Sequence, residues 1–261
     1  MSRPDDLNPA NTAASLSANL RDRLAQTPRI ALIGAMDQEI ERLKLSIEGL
    51  EQHQIAGFQF FTGQIGTFDV VLLKSGIGKV NAAIGTSLLL DHYKPACVIN
   101  TGSAGGFDPA LSVGDVVIST EVRHHDVDLR VFGYEIGQMA RMPAAYAADA
   151  LLVDVAQASV GRMDGIACSL GLIATGDTFM SDPEHVARTR ANFPQMKAAE
   201  MEAAAIAQTC FCFSTPFLVI RALSDIAGQE SNVSFDQFIE TASENSALMV
   251  LNILTELQSR L

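Results

Sequence analysis

From Arg29 onward the chain alternates short apolar runs rich in valine and isoleucine with amphipathic stretches of helical period, and few folds satisfy that pattern. A strand covered on both faces reads as continuously hydrophobic, whereas a strand with one wet face alternates. The runs "RIALIGA" (29–35), "DVVLLKSG" (69–76), "ACVINTG" (96–102), "GDVVISTEV" (114–122), "LGLIATG" (170–176) and "TPFLVIRALSD" (215–225) are of the first kind. Helices are expected near 37–50, 78–93, 146–160, 183–192 and 202–212, with a last one over 234–258. Strands separated by helices define an α/β fold with a largely parallel sheet. With 261 residues, 48% of them hydrophobic, the chain can bury one large core or two small ones, and one domain is expected.

Residues 1–28 mix Pro, Asp, Asn, Ser and Ala around one weak stripe, Leu16, Leu20 and Leu24, at helical spacing. They read as an N-terminal extension outside a catalytic domain over 29–261. No run approaches the roughly 18 apolar residues of a membrane span, and the first 28 residues lack the apolar segment of a secretion signal. A cytoplasmic protein with no membrane partner is the expectation. Cys97, Cys168, Cys210 and Cys212 show no CxxC spacing and are too sparse for a disulfide scaffold, so reduced thiols are expected. The net charge of −12, unrelieved by any long basic cluster, argues against nucleic acid and for a neutral or cationic small molecule.

In open α/β sheets ligands gather beyond the carboxyl ends of the strands. Those ends here run into Gly34-Ala35-Met36-Asp37-Gln38-Glu39, "KSGIGKVNAA", "NTGSAGG" (100–106) and the trio Arg221, Ser224 and Asp225. The glycines let backbone approach a ligand closely. Neither loop has the spacing of a phosphate-binding GxxxxGK[ST] or a dinucleotide-binding GxGxxG motif. If the last strand stays regular, Arg221, Leu223 and Asp225 share one face, opposite Leu218, Ile220, Ala222 and Ser224. An arginine in so apolar a strand needs an anionic partner, either a ligand or an internal glutamate. "VRHHDVD" (122–128) resembles a metal cluster, but adjacent histidines on a strand point to opposite faces, so no metal is expected there. The stretch "KAAEMEAAAIAQ" (197–208) sets Glu200 and Glu202 in an otherwise apolar run, and a glutamate is seldom fully buried unless paired.

Taken together, "IGAMDQEI", "LLKSGIGKVNAA", "INTGSAGG", "VGDVVIS", "FGYEIGQ", "GDTFMSD", "AEMEAAAIA" and "VIRALSD" occur in an order and spacing that resembles the 5′-methylthioadenosine/S-adenosylhomocysteine nucleosidases of the purine nucleoside phosphorylase superfamily, from about Arg29 to Leu257. The resemblance implies a three-layer α/β/α domain with a central mixed, partly barrel-like sheet. It further implies a homodimer in which one subunit completes the other's pocket, and hydrolysis of the bond between adenine and a 5′-thio-substituted ribose without a cofactor. By residue, it implies Asp225 as the acid that protonates the departing adenine at N7. Glu39 is the residue that holds and deprotonates water, with Ser103 and Arg221 helping to fix that water. Glu202 accepts from the ribose 2′- and 3′-hydroxyls, and Met201 lines the sugar. Phe179 stacks on adenine, with backbone near Met180 reading the base edge. Met36 and Phe235 wall the 5′-thio group, and Phe132 reaches in from the partner. Ala35 and Ser224 complete the set of substrate contacts. The resemblance gives Glu200 no role.

Two stretches depart from the family pattern: Asp37-Gln38 before Glu39, and "MARMPAAY" (139–146), which bears on substrate breadth. The competing expectations are a hydrolase preferring aminofutalosine or 5′-deoxyadenosine, a phosphate-dependent phosphorylase, and a nucleoside-binding protein without turnover. Glu39 weighs against phosphate, because two like charges about 4 Å apart repel by roughly 4 kcal/mol at an effective dielectric of 20.

Overall fold

The computed structural model describes residues 20–229 and 231–261. Its strands are β1 (Arg29–Gly34), β2 (Glu48–Ile55), β3 (Phe58–Ile65), β4 (Phe68–Lys74), β5 (Cys97–Asn100), β6 (Ser103–Gly106), β7 (Val116–His124), β8 (Tyr146–Ala147), β9 (Cys168–Thr175), β10 (Met196–Glu200) and β11 (Phe217–Ile226). They form one mixed sheet in the order β2-β3-β4-β1-β5-β11-β6-β10-β9-β7-β8, and β7 pairs back onto β11. That extra pairing closes β11, β6, β10, β9 and β7 into the barrel-like part of the sheet. β11 serves both parts: Phe217–Val219 pair with β5, while the residues after Arg221 pair with β6.

Alternation along the central strands assigns each residue to one of two cores. On β1, Ile30 and Leu32 face one side and Ala31 and Ile33 the other; Val70 and Leu72 against Val71 and Leu73 repeat this on β4. The first side is covered by α1 (residues 20–26), α2 (Asp37–Leu45), α4 (Ala150–Ser159) and α7 (Ser231–Ser259). The second is covered by α3 (Lys79–Tyr93) and α6 (Ala203–Cys212). Both faces being dry explains why these strands read as unbroken apolar runs. The expected three layers follow.

The sequence expectation needs correction in three places. The helix expected over 37–50 stops at Leu45, and residues 48–65 form the hairpin β2–β3 instead. The helix expected from 146 begins at Ala150, capped by Asp149, whose carboxylate accepts from the N–H groups of Leu151 and Leu152. The extension expected over 1–28 is not wholly outside the core: Leu20 and Leu24 of α1 are buried in the first core. Leu16 lies outside the described residues. All four cysteines are free thiols, and burial pushes Cys97 up to about 12, an inert form. No described helix is long and apolar enough to cross a membrane.

Candidate active site

A cavity of roughly 350 Å³ opens where the carboxyl ends of β1, β10 and β11 meet the first residues of β6. Eleven of the thirteen residues expected at the site line it: Ala35, Met36, Glu39, Ser103, Phe179, Met180, Met201, Glu202, Ser224, Asp225 and Phe235. Arg221 and Phe132 do not. Among the residues lining the cavity there is no lysine or arginine, whereas Glu39, Glu200, Glu202, Asp225 and Asp236 all reach it.

Glu39 sits in the first turn of α2, which starts two residues beyond β1. Its Oε2 accepts from the N–H groups of Ala35 (2.8 Å) and Met36 (3.2 Å), and its Oε1 from the N–H (2.9 Å) and hydroxyl (3.0 Å) of Ser103. Four donors from two strand ends thus fix one carboxylate, so Ser103 acts on Glu39 itself. Gly102 permits this: a Cβ there would stand 2.7 Å from Oε1.

Asp225 shares the cavity with its neighbour Ser224, whose hydroxyl donates to Asp225 Oδ1 at 2.9 Å. Regular alternation would have put the two on opposite faces. The register of β11 against β6 shifts between Leu223 and Asp225, and this bulge turns both residues to the cavity. Both are buried.

Arg221 lies behind the cavity wall and is not among the residues lining it. Its guanidinium is 2% exposed and donates to Glu200 Oε2 (2.6 Å), to Asn100 Oδ1 (2.7 Å) and to the Ile220 carbonyl (3.1 Å). The anionic partner an apolar strand demanded is an internal one. Glu200 in turn accepts the Thr175 hydroxyl and the N–H groups of Glu202 (3.0 Å) and Ala203 (2.8 Å), which open α6. Thr175 Oγ1 accepts from Ala204 N–H at 2.8 Å. Glu200 therefore neutralises Arg221 and caps α6, where the helix dipole also favours a negative charge. Sequence left it without a role because Arg221 and Thr175 are remote in the chain.

Glu202 projects from just before α6, and its Oε1 accepts from Gly78 N–H at 2.8 Å. Burial, then the neighbouring charge of Glu200, push its carboxyl up to about 8, against the pull of Arg221 and Gly78 N–H. Because the folded pKa lies above the unfolded one, the folded state holds the extra proton, and wild-type stability falls as pH rises from about 4.5 to about 8. Glu202→Gln keeps the acceptor for Gly78 but has nothing to ionise. Its Tm should exceed wild type by about 5–10 °C at pH 8 and by under about 2 °C at pH 5, read by calorimetry across that range.

Apolar residues form the rest of the wall. The rings of Phe179 and Phe235 meet edge to face, 5.8 Å apart, and Phe179 is 41% exposed, leaving a free face for a flat ligand. Ile77, Ala104, Gly105, Thr178 and Ala199 also line the cavity and were not anticipated individually. Their signal was position: each lies inside or beside a quoted strand-end motif. Phe132 stands on a short 3₁₀ turn and is 75% exposed.

A mixed, partly closed sheet with an acid-rich, apolar-walled pocket at its strand ends defines the nucleoside phosphorylase type of α/β protein, and a family model described as "Phosphorylase superfamily" matches residues 29–255. The 5′-methylthioadenosine/S-adenosylhomocysteine nucleosidase of Geobacillus thermodenitrificans is 57% identical over 232 residues, covering 89% of this chain and 98% of that protein. The crystal structure of the Neisseria meningitidis nucleosidase of the same name, in complex with methylthio-immucillin-A, aligns with a TM-score of 0.85 and 48% identity over 87% of this chain and 98% of that one. That from Colwellia psychrerythraea, in complex with adenine, gives 0.87 and 51% over 88% and 95%. The chain belongs to the 5′-methylthioadenosine/S-adenosylhomocysteine nucleosidase family.

Proposed function

We propose that this protein hydrolyses the N-glycosidic bond of 5′-methylthioadenosine and S-adenosylhomocysteine, releasing adenine and the 5′-thioribose sugar, as a cytoplasmic homodimer. The observation that carries the reading is the cavity's charge: several acids and no lysine or arginine along its lining. Such a wall repels phosphate and favours a sugar that becomes cationic as the base leaves. Glu39, held by four donors, is positioned to take a proton from water and deliver the oxygen to C1′. Asp225, on the other side of the glycosidic centre, gives its proton to adenine N7 so that the base departs neutral. Two acids working on opposite faces is the arrangement of inverting glycoside hydrolysis. Glu202 accepts from the ribose hydroxyls, and those two donors together with the developing cation favour its ionised form. Phe179 stacks on adenine, with Met180 at the base edge and Met201 along the ribose. Met36 and Phe235 enclose the thioether, which is apolar and polarisable.

A dimer is supported by exposed apolar side chains. Val80 and Ile84 point outward from α3 at 69% and 47% exposure, and Val131 beside Phe132 is 85% exposed. Ile77, 51% exposed, belongs both to this set and to the cavity rim, so a partner seated there would also close the pocket. Phe132 is the residue proposed to cross over.

Product analysis tests the reaction. Purified protein with 5′-methylthioadenosine should release adenine and free methylthioribose at the same rate with or without phosphate. A phosphate-dependent appearance of the sugar 1-phosphate would sink the proposal. Run across S-adenosylhomocysteine, aminofutalosine and 5′-deoxyadenosine, the same assay ranks kcat/KM, and the two thioether substrates are expected to lead.

A further inference from the structure

Three side chains outside the cavity join two loops that serve it. Lys79 opens α3, directly after Gly78, whose N–H donates to Glu202. The backbone N–H of Lys79 donates to Asp177 Oδ1 at 2.8 Å, and its ammonium donates to both carboxylate oxygens of Asp126 at 2.7 Å. The circuit closes where Asp177 N–H donates to Asp126 Oδ2 at 3.1 Å. Asp177 directly precedes Thr178, Phe179 and Met180, which line the cavity. Asp126 lies just beyond β7 and Asp177 just beyond β9, two strands paired in parallel. Gly78 has φ of +92°, open to glycine but strained for other residues, and a Cβ there would stand 3.2 Å from Asp177 Oδ1. Without Asp177, Lys79 N–H would lose its acceptor, and the turn over 76–79 would be tied by the Lys79–Asp126 pair, the bond from Gly76 N–H to the Ala35 carbonyl, its helix start and its bond to Glu202.

We infer that Lys79, Asp126 and Asp177 are positioning residues that clamp the turn before α3 to the loop after β9, holding Gly78 N–H against Glu202 and so fixing the carboxylate that receives the ribose hydroxyls. This rests on the reading of Glu202 as the ribose acceptor. None of the three lines the cavity, so each acts through Gly78 and Glu202. The Lys79–Asp126 pair is only about a quarter exposed on either side chain, so its geometry is more constrained than that of a surface pair. Its contribution is to orientation, which makes binding of the sugar the property to measure.

The test is Asp126→Asn in the full chain, with Lys79→Met as a second variant should the first be poorly folded. On 5′-methylthioadenosine, KM should rise about tenfold, the worth of one weakened charge-assisted hydrogen bond, with a smaller fall in kcat. On the 2′,3′-dideoxy analogue the variant and wild type should agree within about twofold, because nothing is left for Glu202 to receive. Equal slowing on both substrates in a folded variant would mean a general structural role and would overturn the inference. A wild-type enzyme indifferent to the two hydroxyls would overturn the Glu202 reading and the clamp with it. A wild type that needs them, beside an Asp126→Asn variant with unchanged KM, would overturn the clamp alone.

A second readout is the titration of Glu202 in protein labelled with ¹³C at glutamate Cδ, its resonance identified by Glu202→Gln. The groups facing Glu202 are Glu200, Glu39, Arg221 and Gly78 N–H, and of these Gly78 N–H and Arg221 pull its pKa down. Loosening the turn weakens the Gly78 bond and should move the midpoint up. Neutralising Asp126 by itself acts the other way, since it removes a distant negative charge. An upward shift in Asp126→Asn therefore reports the turn, and a downward or absent shift would overturn the inference.

Discussion

The Asp225→Asn variant is expected to lose about 10²- to 10⁴-fold in kcat toward 5′-methylthioadenosine, the usual worth of a positioned general acid, while the nucleoside Kd changes by less than about threefold. Asparagine keeps the size of the side chain and an acceptor for the Ser224 hydroxyl, which donates to Asp225 Oδ1. It retains an N–H that can point at adenine N7, but no proton that can be given away. Departure of an unprotonated adenine anion then sets the rate. A 5′-thioribosyl substrate whose leaving group has a low pKa needs no such proton, so on it the variant should recover most of the wild-type rate. A Glu39→Gln variant should stay slow on both substrates, because the water still has to be deprotonated. Undiminished turnover of 5′-methylthioadenosine by Asp225→Asn, or equal recovery of both variants on the activated substrate, would refute the division of labour between the two acids.

The positions of these acids at the cavity were more legible in sequence than their surroundings, and the reason is geometric. Motifs at strand ends stay close to the cavity whatever the distant packing does, so the family resemblance could be carried onto Glu39, Ser103, Glu202 and Asp225 from short runs, and all four line it. What sequence hid was pairing across long separations and local irregularity. The bulge that brings Ser224 to the cavity beside Asp225 leaves no mark on the apolar alternation of β11. The hairpin 48–65 was missed because seven of the eight residues of β2 are exposed, and an edge strand with no apolar face carries no period-two signal. β10 was hidden for the opposite reason. "MKAAE" is alanine-rich and reads as helix, but Ala198 and Ala199 are buried between β6 and β9, where burial in the sheet overrides helix propensity.

Glu200, the last residue of that strand, is one half of the buried pair on which stability should depend most. Arg221→Met is expected to destabilise the fold by about 3–5 kcal/mol, the usual consequence of stranding one member of a buried ion pair. Glu200, 3% exposed, would keep only neutral donors, the Thr175 hydroxyl and two backbone N–H groups, against a full charge in a dry site. Asn100 would lose the guanidinium N–H it accepts as well. If the stranded charge is the cause, removing it should help: Arg221→Met combined with Glu200→Gln leaves an amide oxygen for the N–H groups that open α6 but no carboxylate to desolvate. Urea denaturation should then place the double variant at least about 1.5 kcal/mol above Arg221→Met alone, a non-additivity within the range seen for residues in direct contact. A double variant as unstable as the single one would mean that Arg221 matters for packing in the second core and not for charge. The pair also bears on the cavity, because Glu200 raises and Arg221 lowers the pKa of Glu202. Arg221→Met leaves the first influence without the second, so Glu202 should titrate higher in that variant. The double variant should bring it back down, which ties the buried pair to the ionisation of the carboxylate proposed to receive the ribose.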